Sequence, residues 1–129
     1  MATTSLLDTN VLVRFLVGDN AAQQKKAVEW FKSARDGERK IIVKPMIIAE
    51  TVFVLESFYK LSREAITTAL LPFLAIPVLV VEERNVLLHL WNDFLKGSHF
   101  VDAYLLASAR SVNGEILTFD KDLLSRMKE

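Results

Sequence analysis

The sequence predicts an α/β fold: a three-layer α/β/α sandwich whose central parallel sheet holds four or five strands. Four short apolar runs suited to buried strands, Ser5-Leu-Leu, Ile41-Ile-Val, Val78-Leu-Val-Val and Ile116-Leu-Thr-Phe, are each followed by a segment of helical periodicity. A parallel strand return needs a crossover, and a helix between successive strands supplies it while covering a face of the sheet. The length of 129 residues suits one domain, 1–129, able to bury about two-thirds of the surface its unfolded chain exposes.

After the first run, Asn10 is a candidate N-cap for a short helix, Val11 to Val17. Gly18-Asp-Asn then turns the chain into a helix from about Ala21 to Arg35, which ends near Gly37 and turns Ala27, Val28, Phe31 and Ala34 inward. Pro45 suits an early helical position, where its missing N–H would have no partner in any case, and this helix extends to about Tyr59. Ser62 caps the next helix, which Pro72 kinks or ends. The third strand leads to a helix from about Arg84 to Lys96, stopped at Gly97, and Phe100 to Val112 forms another before Gly114. The last strand passes at Asp120 into a short C-terminal helix. No repeat, linker or low-complexity segment interrupts this order.

Composition narrows the function. The chain is 51% apolar and 25% charged, which is globular, and it lacks cysteine, which excludes disulfides, thiolate nucleophiles and cysteine-ligated metals. MATTSLLD has no basic segment ahead of an apolar one, as a secretory signal would, and the uncharged stretch Ala65 to Val81 is broken by Thr67, Thr68, Pro72 and Pro77. The expectation is a cytoplasmic protein with no membrane span. Net charge is zero, although residues 1–63 hold ten basic side chains against seven acids, a bias that a solvated helix face also explains.

Four acids stand isolated in apolar surroundings. Asp8 closes the first strand in SLLDTNVLVRFL, Glu50 lies in PMIIAETVFVLE, Asp102 in GSHFVDAYLLASA, and Asp120 follows ILTF. An uncompensated buried carboxylate costs several kcal/mol, so each needs a hydrogen bond, an ion pair or a cation. Singly, Asp8 and Asp120 read equally well as helix caps, and Asp102 as an acid favouring a helix N-terminus. Glu50, within a helix, has no such ordinary role. Together, acids at strand ends and in early helical turns can converge over one edge of a parallel sheet, where sites of such folds form. Converging carboxylates repel unless a multivalent cation holds them, and oxygen donors select Mg²⁺ or Mn²⁺ over zinc or copper. His89 and His99 form no zinc pattern.

With these motifs the chain resembles the PIN-domain ribonucleases, and among them the VapC-type toxins of prokaryotic toxin-antitoxin pairs. LLDTNVLVRFLV, PMIIAETVFVLES and FVDAYLLASAR followed by EILTFDKDLL carry the resemblance across essentially the whole chain. It implies that Asp8, Glu50, Asp102 and Asp120 form an acidic quartet that binds Mg²⁺ or Mn²⁺, supported by Asn10, Thr118 and Asp122. Where family members often carry an acid shortly before the third motif, this chain has His99. The implied activity is hydrolysis of RNA phosphodiesters, leaving a 5′-phosphate and a 3′-hydroxyl, with Glu50 either a ligand or the base that orients water. Arg14, Lys44 and Lys121 are candidate RNA contacts. The implied partners are a small VapB-like antitoxin and a second copy of the chain in a homodimer, with Phe53, Leu55, Phe58 and Tyr59 as candidate interface residues.

Other α/β readings fit less well. A receiver domain needs an acidic pair after the first strand and a lysine late in the chain; here Asp8 stands alone and Glu82-Glu83 follows the third run. A haloacid-dehalogenase phosphatase needs Asp-x-Asp, and the second position is Asn10. A PIN fold without catalysis, acting as an RNA- or protein-binding module, predicts a depleted quartet, whereas all four positions are filled.

Overall fold

In the computed structural model, which describes residues 2–129, the chain divides into two compact units, Met1–Glu82 and Glu83–Glu129. The first unit carries β1 (Thr3–Leu6), α1 (Thr9–Val17), α2 (Ala21–Arg35), β2 (Arg39–Val43), α3 (Pro45–Ser57), α4 (Arg63–Leu74) and β3 (Val80–Val81). The strands form a parallel sheet in the order β1-β2-β3, with Thr3 opposite Arg39 and Ile42 opposite Val80. The α/β class with a parallel sheet is therefore the observed one.

Local chemistry sets the boundaries in this unit. Gly18 closes α1 at φ 74°, the left-handed conformation a glycine adopts without a Cβ penalty, and its N–H donates to the Arg14 carbonyl. The Asn20 side chain caps α2 by accepting from Gln23 N, and Ser62 caps α4 by accepting from Ala65 N. Pro72 is accommodated in the last turn of α4, which ends at Leu74. Leu12, Val43, Ile48, Leu55, Ile66, Leu70 and Leu74 are fully buried. Phe15, Phe31 and Phe73 close one side with ring centres 4.7 to 6.3 Å apart.

The second unit carries α5 (Arg84–His89), α6 (Trp91–Leu95), α7 (Phe100–Ser111) and α8 (Lys121–Met127). The expected single helix from Arg84 to Lys96 is broken at Leu90. The Trp91 indole N–H donates to the Leu87 carbonyl at 2.7 Å and the His89 ring meets the Asn85 carbonyl at 2.6 Å, so side chains contend for acceptors that a continuous helix assigns to backbone N–H groups. Phe94, Leu87, Leu90 and Leu106 are fully buried, and Trp91, Phe94 and Phe100 pack ring to ring. Buried Asp93 is held at 2.7 Å by Arg110, which also donates to the Arg126 carbonyl and so ties α6, α7 and α8 together.

Two strand expectations are corrected. Among the described residues the sheet has three strands, not four or five: Ile116–Phe119 joins no ladder, and Leu117 and Phe119 are fully in solvent. An apolar run suits a segment to burial as a strand but does not specify a neighbour to pair with. Val78 and Leu79 fall outside β3 because the Leu79 N–H turns back to the Ile76 carbonyl around Pro77.

Candidate active site

Asp8 follows directly from β1. Its backbone is extended, and its carbonyl accepts from Val11 N and Leu12 N, so Asp8 rather than Asn10 holds the N-cap position of α1. This corrects the expected helix start; Asn10 lies within the first turn, exposed. Although at the cap position, the Asp8 carboxylate makes no capping bond and stands exposed. Beside it, Thr9 is 4% exposed and its Oγ1 has no hydrogen-bond partner, a rare state for a buried hydroxyl. Nothing in the sequence singles out Thr9, since a threonine in a first helical turn reads as surface.

Glu50 lies on α3, whose buried face is Ile48, Thr51, Val52 and Leu55. Contrary to what its apolar neighbours suggested, Glu50 is exposed, because Met46 and Phe53 on the same stripe are themselves 79% and 67% exposed. Of the expected interface residues, Leu55 is fully buried and belongs to the core, whereas Phe53 and Phe58 are in solvent.

The basic candidates near these acids are engaged. Arg14 donates to Asp19, Tyr59 Oη and Gln23, and Lys44 pairs with Glu82 at 3.0 Å. Tyr59 Oη in turn donates to Asp19 at 2.8 Å. This hydrogen bond, aided by the Arg14 charge, holds the Asp19 carboxyl below the usual carboxylate range, and it raises the Tyr59 phenol above its usual value. A depressed acid stabilises the fold above its unfolded pKa and loses that contribution as pH falls through its folded value; a raised phenol contributes below its unfolded pKa and loses it as pH rises through its folded value. Tyr59→Phe is therefore expected to flatten the dependence of Tm on pH at both ends, below about pH 4 and above about pH 10. Thermal melts of the two proteins across pH check this, and parallel curves would contradict it.

In the second unit, Asp102 sits half-buried in the first turn of α7, where a negative charge meets the positive end of the helix dipole. Asp120 caps α8: Oδ1 accepts from Asp122 N at 2.9 Å and Leu123 N at 3.1 Å. Thr118 Oγ1 accepts from Asp120 N, which fixes the approach to that cap. The Asp122 carboxylate is taken by Arg126 at 3.0 Å. His99 is exposed at the N-cap of α7 and makes no capping bond.

Asp8 and Glu50 thus belong to the first unit, and Asp102, Thr118, Asp120 and Asp122 to the second. Within neither unit do the described residues assemble three or more His, Cys, Asp or Glu side chains able to hold a metal ion.

The profile of the PIN domain family matches residues 5–129, across both units and all four isolated acids. The chain belongs to the PIN domain family. Neither a curated protein nor a solved structure matches it significantly. PIN domains are generally metal-dependent nucleases, so membership assigns a nuclease-type function and a general interaction with nucleic acid. No helix of this PIN domain, among the described residues, is long and apolar enough to cross a membrane. The donor chemistry of the four acids suits a hard divalent cation, being all oxygen, and the Asp8 carboxylate is not spent on capping α1.

Proposed function

We propose that this PIN domain is an endoribonuclease acting as the toxin of a VapBC-type pair in the cytoplasm, and that residues 1–129 work as a single domain. The observation that carries the reading is the Asp8 carboxylate, which sits at the end of β1 in the helix N-cap position, leaves the cap unmade and stands open to solvent. A side chain placed to satisfy a helix end but withheld from it is available to a ligand.

In this reading Asp8, Asp102 and Asp120 hold Mg²⁺ or Mn²⁺, and Glu50 either joins them or orients the attacking water as a base. When bound, such an ion supplies Lewis-acid stabilisation of charge on the phosphate and leaving oxygen and lowers the pKa of water. Asp120 accepts two backbone N–H groups through Oδ1, which fixes its carboxyl plane while Oδ2 keeps its lone pairs for a cation. Thr118 steadies the same residue through its backbone, and Asn10 and Asp122 complete the polar surroundings.

The partners follow from the same proposal: RNA as substrate, a small VapB-like antitoxin that restrains the enzyme, and a second copy of the chain. Exposed Met46, Phe53 and Phe58 offer apolar area for a homodimer. The deciding experiment is expression in a bacterium. Growth arrest that Glu50→Gln abolishes, with 5′-phosphate ends on the cleaved RNA, supports the toxin; arrest untouched by Glu50→Gln points to a module that binds without cutting. Because Glu50 is exposed, the substitution leaves the core of α3 unaltered.

A further inference from the structure

Two clefts in the first unit meet at Val11 and Trp30. One, of about 210 Å³, runs from Asp8 past Val11 to Trp30, with Arg39 on its wall. The other, of about 170 Å³, continues from Val11 and Trp30 to Arg14 and Lys26. Trp30 projects from α2 half-buried, although an indole of its size is usually well covered, and the Lys26 ammonium lies 5.4 Å from its ring centre.

We propose that these clefts seat single-stranded RNA beside the reacting phosphate, with one base stacked on Trp30 and the neighbouring phosphates met by Lys26 and Arg39. This rests on the ribonuclease reading and deepens it. Base stacking on an aromatic side chain within a cationic groove is the general means of holding single strands, because every base offers a π-face. The charges along the clefts are complementary to that occupant: three cations line them, and Asp8 is their only acid.

The cations differ in availability. Arg14 is committed to Asp19 and positions the groove wall. The Arg39 guanidinium is held by hydroxyls, donating to Ser5 Oγ at 2.7 Å and Ser33 Oγ at 3.1 Å, so its orientation is fixed while no carboxylate among the described residues neutralises it. Besides its contact with the Trp30 ring, Lys26 has an exposed pairing with Glu29 at 3.9 Å, which a phosphate can displace at little cost. Because one cleft reaches from Trp30 to Asp8, Trp30 sets where the strand lies relative to that carboxylate.

The chain's only other tryptophan, Trp91, is buried, so Trp91→Phe leaves the Trp30 indole as the sole reporter. Titrating this protein at low salt in EDTA with a short single-stranded RNA is expected to quench its fluorescence saturably. Because Trp30 variants of this protein lack the reporter, their binding is read from the anisotropy of the same RNA carrying a fluorescent end label. Trp30→Ala is expected to weaken binding about 5- to 150-fold, with Trp30→Phe recovering most of it. Lys26→Glu, an exposed substitution that the fold tolerates, is expected to weaken binding and flatten its salt dependence. Absence of quenching, or unchanged binding in both Trp30→Ala and Lys26→Glu, overturns the proposal. Quenching by short apolar peptides but not by RNA also overturns it and assigns the cleft to a protein partner. Failure of the two readings is separable: saturable quenching without Mn²⁺-dependent hydrolysis sinks the nuclease reading and leaves the RNA cleft, whereas hydrolysis without quenching sinks the cleft alone.

Discussion

Asp8→Asn and Asp102→Asn are each expected to lower RNA hydrolysis by more than the roughly 10–100-fold that outer-shell partners of metal ligands cost, while leaving the fold intact. Both swaps keep shape and remove the negative charge on which cation binding depends. At Asp8 the fold forfeits nothing, since the carboxylate makes no capping bond and asparagine is an equally good cap. At Asp102 the loss is about 0.3–1 kcal/mol of interaction with the α7 dipole. EDTA should abolish activity and Mn²⁺ or Mg²⁺ restore it. Initial rates of RNA cleavage, read beside thermal melts, check the prediction. Full turnover in the purified double variant would remove these acids from the chemistry.

Phe94→Ala is expected to cost about 3–5 kcal/mol, a large part of the roughly 5–15 kcal/mol that stabilises a domain. Phe94 is fully buried and edge-packed on Trp91, with Phe100 completing the cluster, so truncation opens a cavity at the centre of the second unit. Each unit carries one tryptophan, which lets one experiment also ask whether 1–129 is a single folding domain. Urea unfolding followed through Trp30 alone and Trp91 alone should give coincident transitions, and Phe94→Ala should shift both together. Loss of the Trp91 transition while Trp30 holds its own would divide the chain into two domains.

Much of the first unit was legible because its signals are local and strong. Ser62 forms the cap expected of it, the expected turn at Gly18-Asp-Asn supplies a left-handed Gly18 and the Asn20 cap of α2, and the strand-helix alternation yields the parallel sheet. The failures fall where competition between partners decides. The break at Leu90 depends on an indole outbidding a backbone N–H for one carbonyl, which periodicity does not encode. Ile116–Phe119 is an apolar run of strand length without a ladder, since pairing is a property of two segments.

The candidate acids show the same division. That Asp120 would begin a helix was readable, and it caps α8, although the strand expected before it does not form. That Asp8 would occupy a cap position without capping was not readable, because residue type alone cannot say where a carboxylate turns. Glu50 misled through its neighbours: Met46 and Phe53 are apolar yet exposed, so apolar context did not mean burial. Trp30 drew no expectation from the sequence, and only the clefts beside it suggest a use.

The order of the sheet has a consequence for synthesis. Each strand pairs with the one made just before it: β2 lies beside β1, and β3 beside β2. No strand has to be inserted between two already joined, and none must wait beyond the next crossover for its neighbour. The sheet can therefore grow outward in the direction of translation, and α1 and α2 are already made when β2 emerges to meet β1. Parallel pairing is intrinsically slow because a long loop must close first, and a sequential order keeps each such closure as short as a crossover allows.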